Sequence, residues 1–435
     1  MIEILQIVFF FLVFTLLLFL PFNIFNNVNY SNNIDIIEKT SLNLVINLNI
    51  LLFFSFLPLS VQSIQPIIVL SYLLILIISY RKNFDLIFHF LKSFLLLFII
   101  FLILAVHIGS EIFLGWDAKY FYYIKSLFFY EEKTIFDLYK FEYSAWHPHY
   151  GSYLWGFFWT LSFVDNEYFG RLFYLFLFCY SFFVVSKIDK NQLINNIIFL
   201  LLIFLVYEYE FFSGLQEILI FSFLILISKY FFLISKKNDK DEMLLLCLII
   251  LFSNLLIWIK AEGIVYFFIF LILLLFTQNQ ILLKKKLFIS ILFIIFYILK
   301  LIIYDVSSLD NGQKTLYNLE YVINLDLNII LNKLVNIFIW FFYYLSNNIF
   351  FSIFILLMIY EIFFVRKNYK KNFVYYKTLI IYLFFIVTFI TSAYIFRDME
   401  IVYAIRTTMD RLIMTASGFF IYPSIILLTN KFYQR

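Results

Sequence analysis

The stretch LIFHFLKSFLLLFIIFLILAVH, residues 86–107, is followed almost at once by GSEIFLGWDAKYFYY, residues 109–123. The first is apolar over the length that a helix needs to cross a bilayer core, about 20 residues. The second sets Glu111, Asp117 and Lys119 among aromatics. The polar character then persists to Trp146-His147-Pro148-His149-Tyr150-Gly151. A loop this rich in acids, His and Trp, between two greasy stretches, is where chemistry on a membrane surface would sit.

Most of the 435-residue chain repeats the first pattern. It is 64% hydrophobic and 14% charged, with a mean hydropathy of +0.96. A soluble domain of this size cannot hide so much apolar surface, and transmembrane strands would show short alternating segments instead. The chain reads as all-α, a polytopic transmembrane helical bundle of roughly 11–14 spans with a large first external loop carrying interfacial helices. The expected spans are 4–22, 43–61, 65–80, 86–107, 172–187, 193–208, 214–232, 243–259, 263–277, 287–304, 328–345, 348–365, 376–395 and 412–430. Residues 4–20 lack the basic flank and cleavage site of a signal peptide and read as a first span. With 63 Phe in the chain, a single aromatic is by default a packing or lipid-facing residue. Cys179 and Cys247 both fall inside apolar spans and read as small hydrophobes rather than a disulfide pair.

Basic clusters orient the spans. They are Arg81-Lys82, Lys236-Lys237 with Lys240, Lys284-Lys285-Lys286, Arg366-Lys367 with Lys370-Lys371, and Lys431 with Arg435. The positive-inside rule puts all five in the cytoplasm, as topology signals and not as a nucleic-acid site. The 109–151 loop then lies outside. An odd number of crossings must separate it from Lys236, yet four apolar segments follow. The short, Trp-rich segment 152–165 is therefore expected to be interfacial or re-entrant. Residues 207–217, 260–263, 305–327 and 397–411 also fall outside. Two apolar segments at 328–365 stand where one crossing is needed, so one of them reads as a hairpin or surface helix.

The candidate functional residues converge on that outer side. They are Asp117, Trp116, His147, His149, Arg171, Glu217, Lys260, Glu262, Arg406, Asp410 and Arg411, with Glu111, Glu208, Glu210, Arg397, Asp398 and Glu400 nearby. Ionisable groups at membrane depth are costly and point to function. Lys and Arg suit a phosphate or diphosphate leaving group, and a carboxylate suits proton removal from an attacking hydroxyl. His147 and His149 flank a proline without a third ligand at clear spacing, so they read as structural or substrate contacts rather than a metal pair. Lys260 fits either a phosphate contact or a cation snorkelling at a helix end. Glu131-Glu132-Lys133, Lys119 and Lys125 read as a solvated helix face.

Five motifs then fall into an order. They are Gly115-Trp116-Asp117-Ala118 with following aromatics, His147-Pro148-His149-Tyr150-Gly151, Gly214-Leu215-Gln216-Glu217, Trp258-Ile259-Lys260-Ala261-Glu262-Gly263 and Arg406-Thr407-Thr408-Met409-Asp410-Arg411-Leu412. Together they resemble bacterial integral-membrane glycosyltransferases of the GT-C superfamily, which includes protein O-mannosyltransferases and lipid A sugar transferases. The resemblance covers about 85–275 and 397–412. It implies a catalytic core at 85–277, between N-terminal helices 1–84 and C-terminal helices 278–435. It implies that Asp117 is the general base of an inverting transfer from a polyprenyl-phosphate sugar to a lipid, glycan or protein hydroxyl. Lys260 would contact phosphate, and the remaining candidates would line the substrate site. Glu217 stands where the family commonly has Asp. These motifs hold no clear Asp-x-Asp, so no cofactor is implied, and a divalent metal lacks a clear ligand motif. The implied setting is the lipid bilayer of a bacterial inner membrane, with the site facing the periplasm. An O-antigen polymerase or ligase would carry its large loop late in the chain. A transporter or flippase would show repeats and Gly/Pro-broken spans, against 9 Gly and 5 Pro here.

Overall fold

The computed structural model describes residues 2–20, 36–110, 112–140, 145, 147–189, 191–234, 239–278, 281–309, 327–397 and 400–432. Glu111, Trp146, Asp398, Lys236, Lys237, Arg435 and most of the 305–327 loop lie outside the described residues. Among those described, regular structure is helical throughout. Nine helices are long and apolar enough to cross a membrane, and five shorter apolar helices accompany them. The chain is an all-α polytopic membrane bundle. Cys179 and Cys247 are free thiols.

The helices are α1 (Ile2–Phe19), α2 (Ile36–Ser55), α3 (Val61–Ser110), α4 (Tyr123–Tyr130), α5 (Tyr150–Trp159), α6 (Tyr168–Ser186), α7 (Gln192–Val206), α8 (Glu217–Ile234), α9 (Asp239–Ile259), α10 (Gly263–Thr277), α11 (Leu283–Val306), α12 (Leu327–Asn347), α13 (Ile349–Phe364), α14 (Arg366–Ile395) and α15 (Ile401–Phe432). The hub is α6 and α8, whose spanning windows are 100% and 94% buried. A helix that is apolar all round belongs inside, and α6 reads YFGRLFYLFLFCYSFFVVS. Its neighbours are α1, α3, α5, α7 and α8, while α8 also packs on α9 and α15. Polar ties cross this core because an unpaired polar group costs most in an apolar interior. Lys229 donates to the Val184 carbonyl at 2.6 Å, and the Tyr180 hydroxyl meets Thr40 at 2.8 Å and Ser41 at 2.9 Å.

Spans expected separately at 65–80 and 86–107 belong to one continuous helical segment, α3. It is not a straight rod. Gln65 donates to the Phe157 carbonyl at 2.8 Å, and Ala105 accepts from the Tyr168 hydroxyl. Forty residues of straight helix would separate those two points by about 60 Å. Yet Phe157 and Tyr168 are close neighbours, since Trp155 and Gly170 touch. The chain therefore doubles back between the two arms, as two antiparallel spans require.

Of the two expectations for the 152–165 segment, interfacial or re-entrant, burial favours the second. All ten residues of α5 are buried, against α2, α3, α4, α6 and α9. At about 15 Å it is too short to cross. It is a plug inside the bundle, which leaves the crossing parity intact.

The 328–365 problem also resolves. Lys333 on α12 donates to the Arg397 carbonyl at 2.9 Å, and Trp340 lies under Arg406 at 5.3 Å. Farther on, Phe351 and Phe354 on α13 pack against Phe420. The two helices thus run end to end alongside α15 and in its direction, broken at Asn348, whose side chain caps α13. They make one passage together. The 397–411 segment, expected as a loop, is helical from Ile401 onward.

Candidate functional site

Asp117 is placed by its loop. After α3, the Gly115 N–H donates to the Ser213 carbonyl at 2.9 Å. A Cβ at 115 would stand 2.8 Å from Ser213 Oγ, so any larger residue would make that hydroxyl shift. The facing turn depends on Gly214, whose φ is +87°. Beyond Asp117 the chain forms a π-helical turn, Ala118–Tyr122, before α4. Such a turn holds an extra residue and rotates the faces of the helix beyond it.

Asp117 Oδ2 accepts from Arg411 Nη1 at 2.6 Å, and that nitrogen is also 3.3 Å from Glu217 Oε1. Glu217 Oε1 accepts from Lys260 Nζ at 2.8 Å, and Nζ lies 3.3 Å from Glu262 Oε1. One chain of ion pairs thus links the loop, the first residue of α8, the residue after α9, the residue before α10, and α15. Glu217 begins its helix, where the positive end of the macrodipole favours a carboxylate. The side chains of Asp117 and Arg411 are 25% and 24% exposed, whereas those of Glu217 and Lys260 are 9% and 11%. The network therefore runs from a partly exposed end at Asp117 through a buried middle to Glu262, whose side chain is 21% exposed. Burial opposes charge on Lys260, but Glu217 and Glu262 overcome it and hold its ammonium well above the usual lysine range.

Three carboxylates meet two cations here. The inner oxygens, Glu217 Oε2 and Glu262 Oε2, have no hydrogen-bond partner among the described residues. A buried carboxylate oxygen without a donor is costly, and it is a ready acceptor for a hydroxyl or amine. A small cleft of about 10 Å³, room for about one water, lies against Glu217 and Arg411, walled by Phe211, Leu215, Ile218 and Met414. Among the described residues no three His, Cys, Asp or Glu side chains come together as a metal site.

The other candidates stand apart from this network in different ways. Trp116 is 67% exposed at the mouth, its ring tilted against Tyr120 and edge-on to Phe121. His147 packs against Phe121, and burial together with Lys125 and Lys260 pushes its pKa down to about 3. His149 is fully buried among Phe56, Phe129 and Trp258, and its Nε2 is 2.9 Å from the Ser55 hydroxyl. It is a core residue, not a substrate contact. Arg171 is also removed from the substrate side. It pairs with both oxygens of Glu167, at 2.9 and 2.8 Å, and donates to the Phe212 carbonyl at 2.7 Å and the Phe113 carbonyl at 3.2 Å. Arg406 is exposed and lies over Trp340. Asp410 lines a separate cleft.

Two residues hold the fold in ways that their place in the sequence does not suggest. Lys119 and Glu131, Glu132 and Lys133 are exposed as expected, but Lys125 is fully buried. It donates to the His147 carbonyl at 2.8 Å and the Ala145 carbonyl at 3.3 Å, tying the end of the loop to α4. Six residues apart, Lys119 and Lys125 stand about 120° apart around even a regular helix and so face different ways. Glu167 is the second, recognisable by its spacing of four from Arg171, the distance at which helical side chains meet. No family model, curated protein or solved structure matches this chain, so its own residues carry the functional argument.

Proposed function

We propose that the protein is a membrane glycosyltransferase that moves a sugar from a polyprenyl-phosphate donor to a hydroxyl acceptor on the outer face of the membrane. The observation that carries this reading is the ion-pair chain from Asp117 through Arg411, Glu217 and Lys260 to Glu262. It gathers an acid from the loop and two cations, one from the turn after α9 and one from α15, beside the cleft that Glu217 and Arg411 line.

Asp117 takes the proton from the acceptor hydroxyl, and the acceptor oxygen bonds to the anomeric carbon. The bond from that carbon to the phosphate oxygen breaks, and its electron pair leaves with the phosphate. Arg411 and Lys260 stabilise the departing charge. With three carboxylates already on two cations, the phosphate must displace carboxylate oxygens to reach them. That exchange frees Asp117 from Arg411 only once the donor is in place. Donor binding and base release are then one event. Glu217 Oε2 and Glu262 Oε2 accept from sugar hydroxyls.

The test is transfer from a lipid-linked sugar pool in membranes carrying Asp117→Asn. Activity is expected to vanish at normal protein level. Full activity in that variant sinks the mechanism. Cysteine labelling at position 117 from the outside alone checks the orientation.

A further inference from the structure

A second cleft, of about 370 Å³, opens beside the ion-pair chain. Its polar rim carries Glu208, Asp410, Asn347, Tyr343 and Tyr344, and among the described residues no Lys or Arg lines it. Burial, Asp410 and Glu210 all raise the Glu208 carboxyl above its ordinary range, in keeping with two acids facing one space. Phe211 and Met414 wall both this cleft and the smaller one at Glu217 and Arg411, so the two adjoin. Glu217, nine-tenths buried and with Oε2 unpartnered among the described residues, lines the smaller cleft, on the other side of that shared wall.

A cleft without a cation does not suit phosphate. Carboxylates, an amide and phenols together offer both donors and acceptors, and the tyrosines offer aromatic faces. A polyol uses all of these, whereas an ammonium group uses only acceptors. The volume lies within the usual range for small-molecule sites, about 300–1,000 Å³.

We propose that this cleft holds a polyhydroxyl acceptor, the sugar-bearing part of the molecule that receives the transferred group. This rests on the transferase reading and adds the acceptor's class and place. The phosphate-bearing donor and the hydroxyl-bearing acceptor approach the same Asp117–Arg411 pair from adjoining clefts.

The experiment is saturation-transfer NMR on the full-length protein in lipid nanodiscs. The probes are maltotriose, octyl glucoside, choline and Mn²⁺. Saturation is expected to reach the sugar ring protons. The combined Glu208→Gln, Asp410→Asn variant should bind roughly tenfold more weakly, the loss of charged hydrogen-bond acceptors. Tyr343→Phe, at an exposed position, should weaken binding with less risk to folding. Stronger binding of octyl glucoside than of maltotriose marks a lipid-borne acceptor, and the reverse marks a free glycan. No transfer to either sugar, equal binding by the variants, or preference for choline or Mn²⁺ overturns the proposal. Asp117→Asn separates the two ideas. If it transfers sugar normally while the cleft still binds maltotriose, Asp117 fails as the base and the cleft stands; if the unaltered protein transfers no sugar while the cleft binds maltotriose, the transferase reading fails. If Asp117→Asn is inactive and the cleft variants bind unchanged, only the cleft assignment fails.

Discussion

Arg171 and Arg411 are both held by carboxylates at the same end of the bundle, and they do opposite work. Arg171 is 4% exposed and spends its donors on Glu167 and two loop carbonyls. Those carbonyls belong to Phe113 and Phe212, in the two strips of chain that bracket Asp117. Arg411 is 24% exposed and bridges two acids that come from different elements. The first arginine is committed to holding the loops. The second sits at an opening, beside acceptor oxygens that no described residue satisfies. Saturation marks a strut, and incomplete satisfaction at a cleft marks a site.

That contrast breaks most sharply if Arg171 proves dispensable. Arg171→Ala leaves Glu167 buried without its partner and should cost about 3–5 kcal/mol of stability, read as a lowered unfolding midpoint in detergent. An unchanged midpoint would erase the distinction. Asp117→Asn should show the reverse pattern, a loss of transfer of roughly 10²–10⁴-fold with a small change in midpoint.

A subtler test uses acid. Burial holds both His147 and His149 at about 3, well below the ordinary 6.5, so the fold keeps both rings neutral. Stability is complete above the unfolded value and falls as pH drops from about 6.5 towards 3, because the unfolded chain takes up protons that the fold refuses. His149→Phe removes one of the two groups from an aromatic pocket and should flatten that acid slope, measured as midpoint against pH. An unaltered slope would exclude His149 as a cause. The smallest effect is expected for Glu262→Gln. It weakens a 3.3 Å contact at the partly exposed end of the chain and should cost about 1 kcal/mol or less.

The five-residue network is largely legible as a set in the sequence, because Asp117, Glu217, Lys260, Glu262 and Arg411 all flank spans at the end assigned to the outside. Their neighbours are not. Asp410 and Arg411 are adjacent in sequence but about 100° apart around α15, so one faces the second cleft and the other the ion pairs. Lys125 reads as a surface cation because lysine is ordinarily solvated, and the carbonyls that it ties, those of Ala145 and His147, come from the far end of the loop. Arg171 reads as a ligand because its partners are a residue one turn away and two carbonyls, and carbonyls leave no trace in side-chain patterns.

The sequence alone determined that this chain is a helical membrane bundle and which polar residues gather at one end. Apolar runs of bilayer length and basic clusters act locally, through hydrophobicity and charge, and can be read one segment at a time. Tertiary structure decided the rest: that α5 is a buried plug, that α12 and α13 share one passage, and that Arg411 rather than Arg171 or Arg406 meets Asp117. Those outcomes depend on which helices pack together across nearly 300 residues of chain, a choice made by the summed fit of side chains that no local pattern encodes.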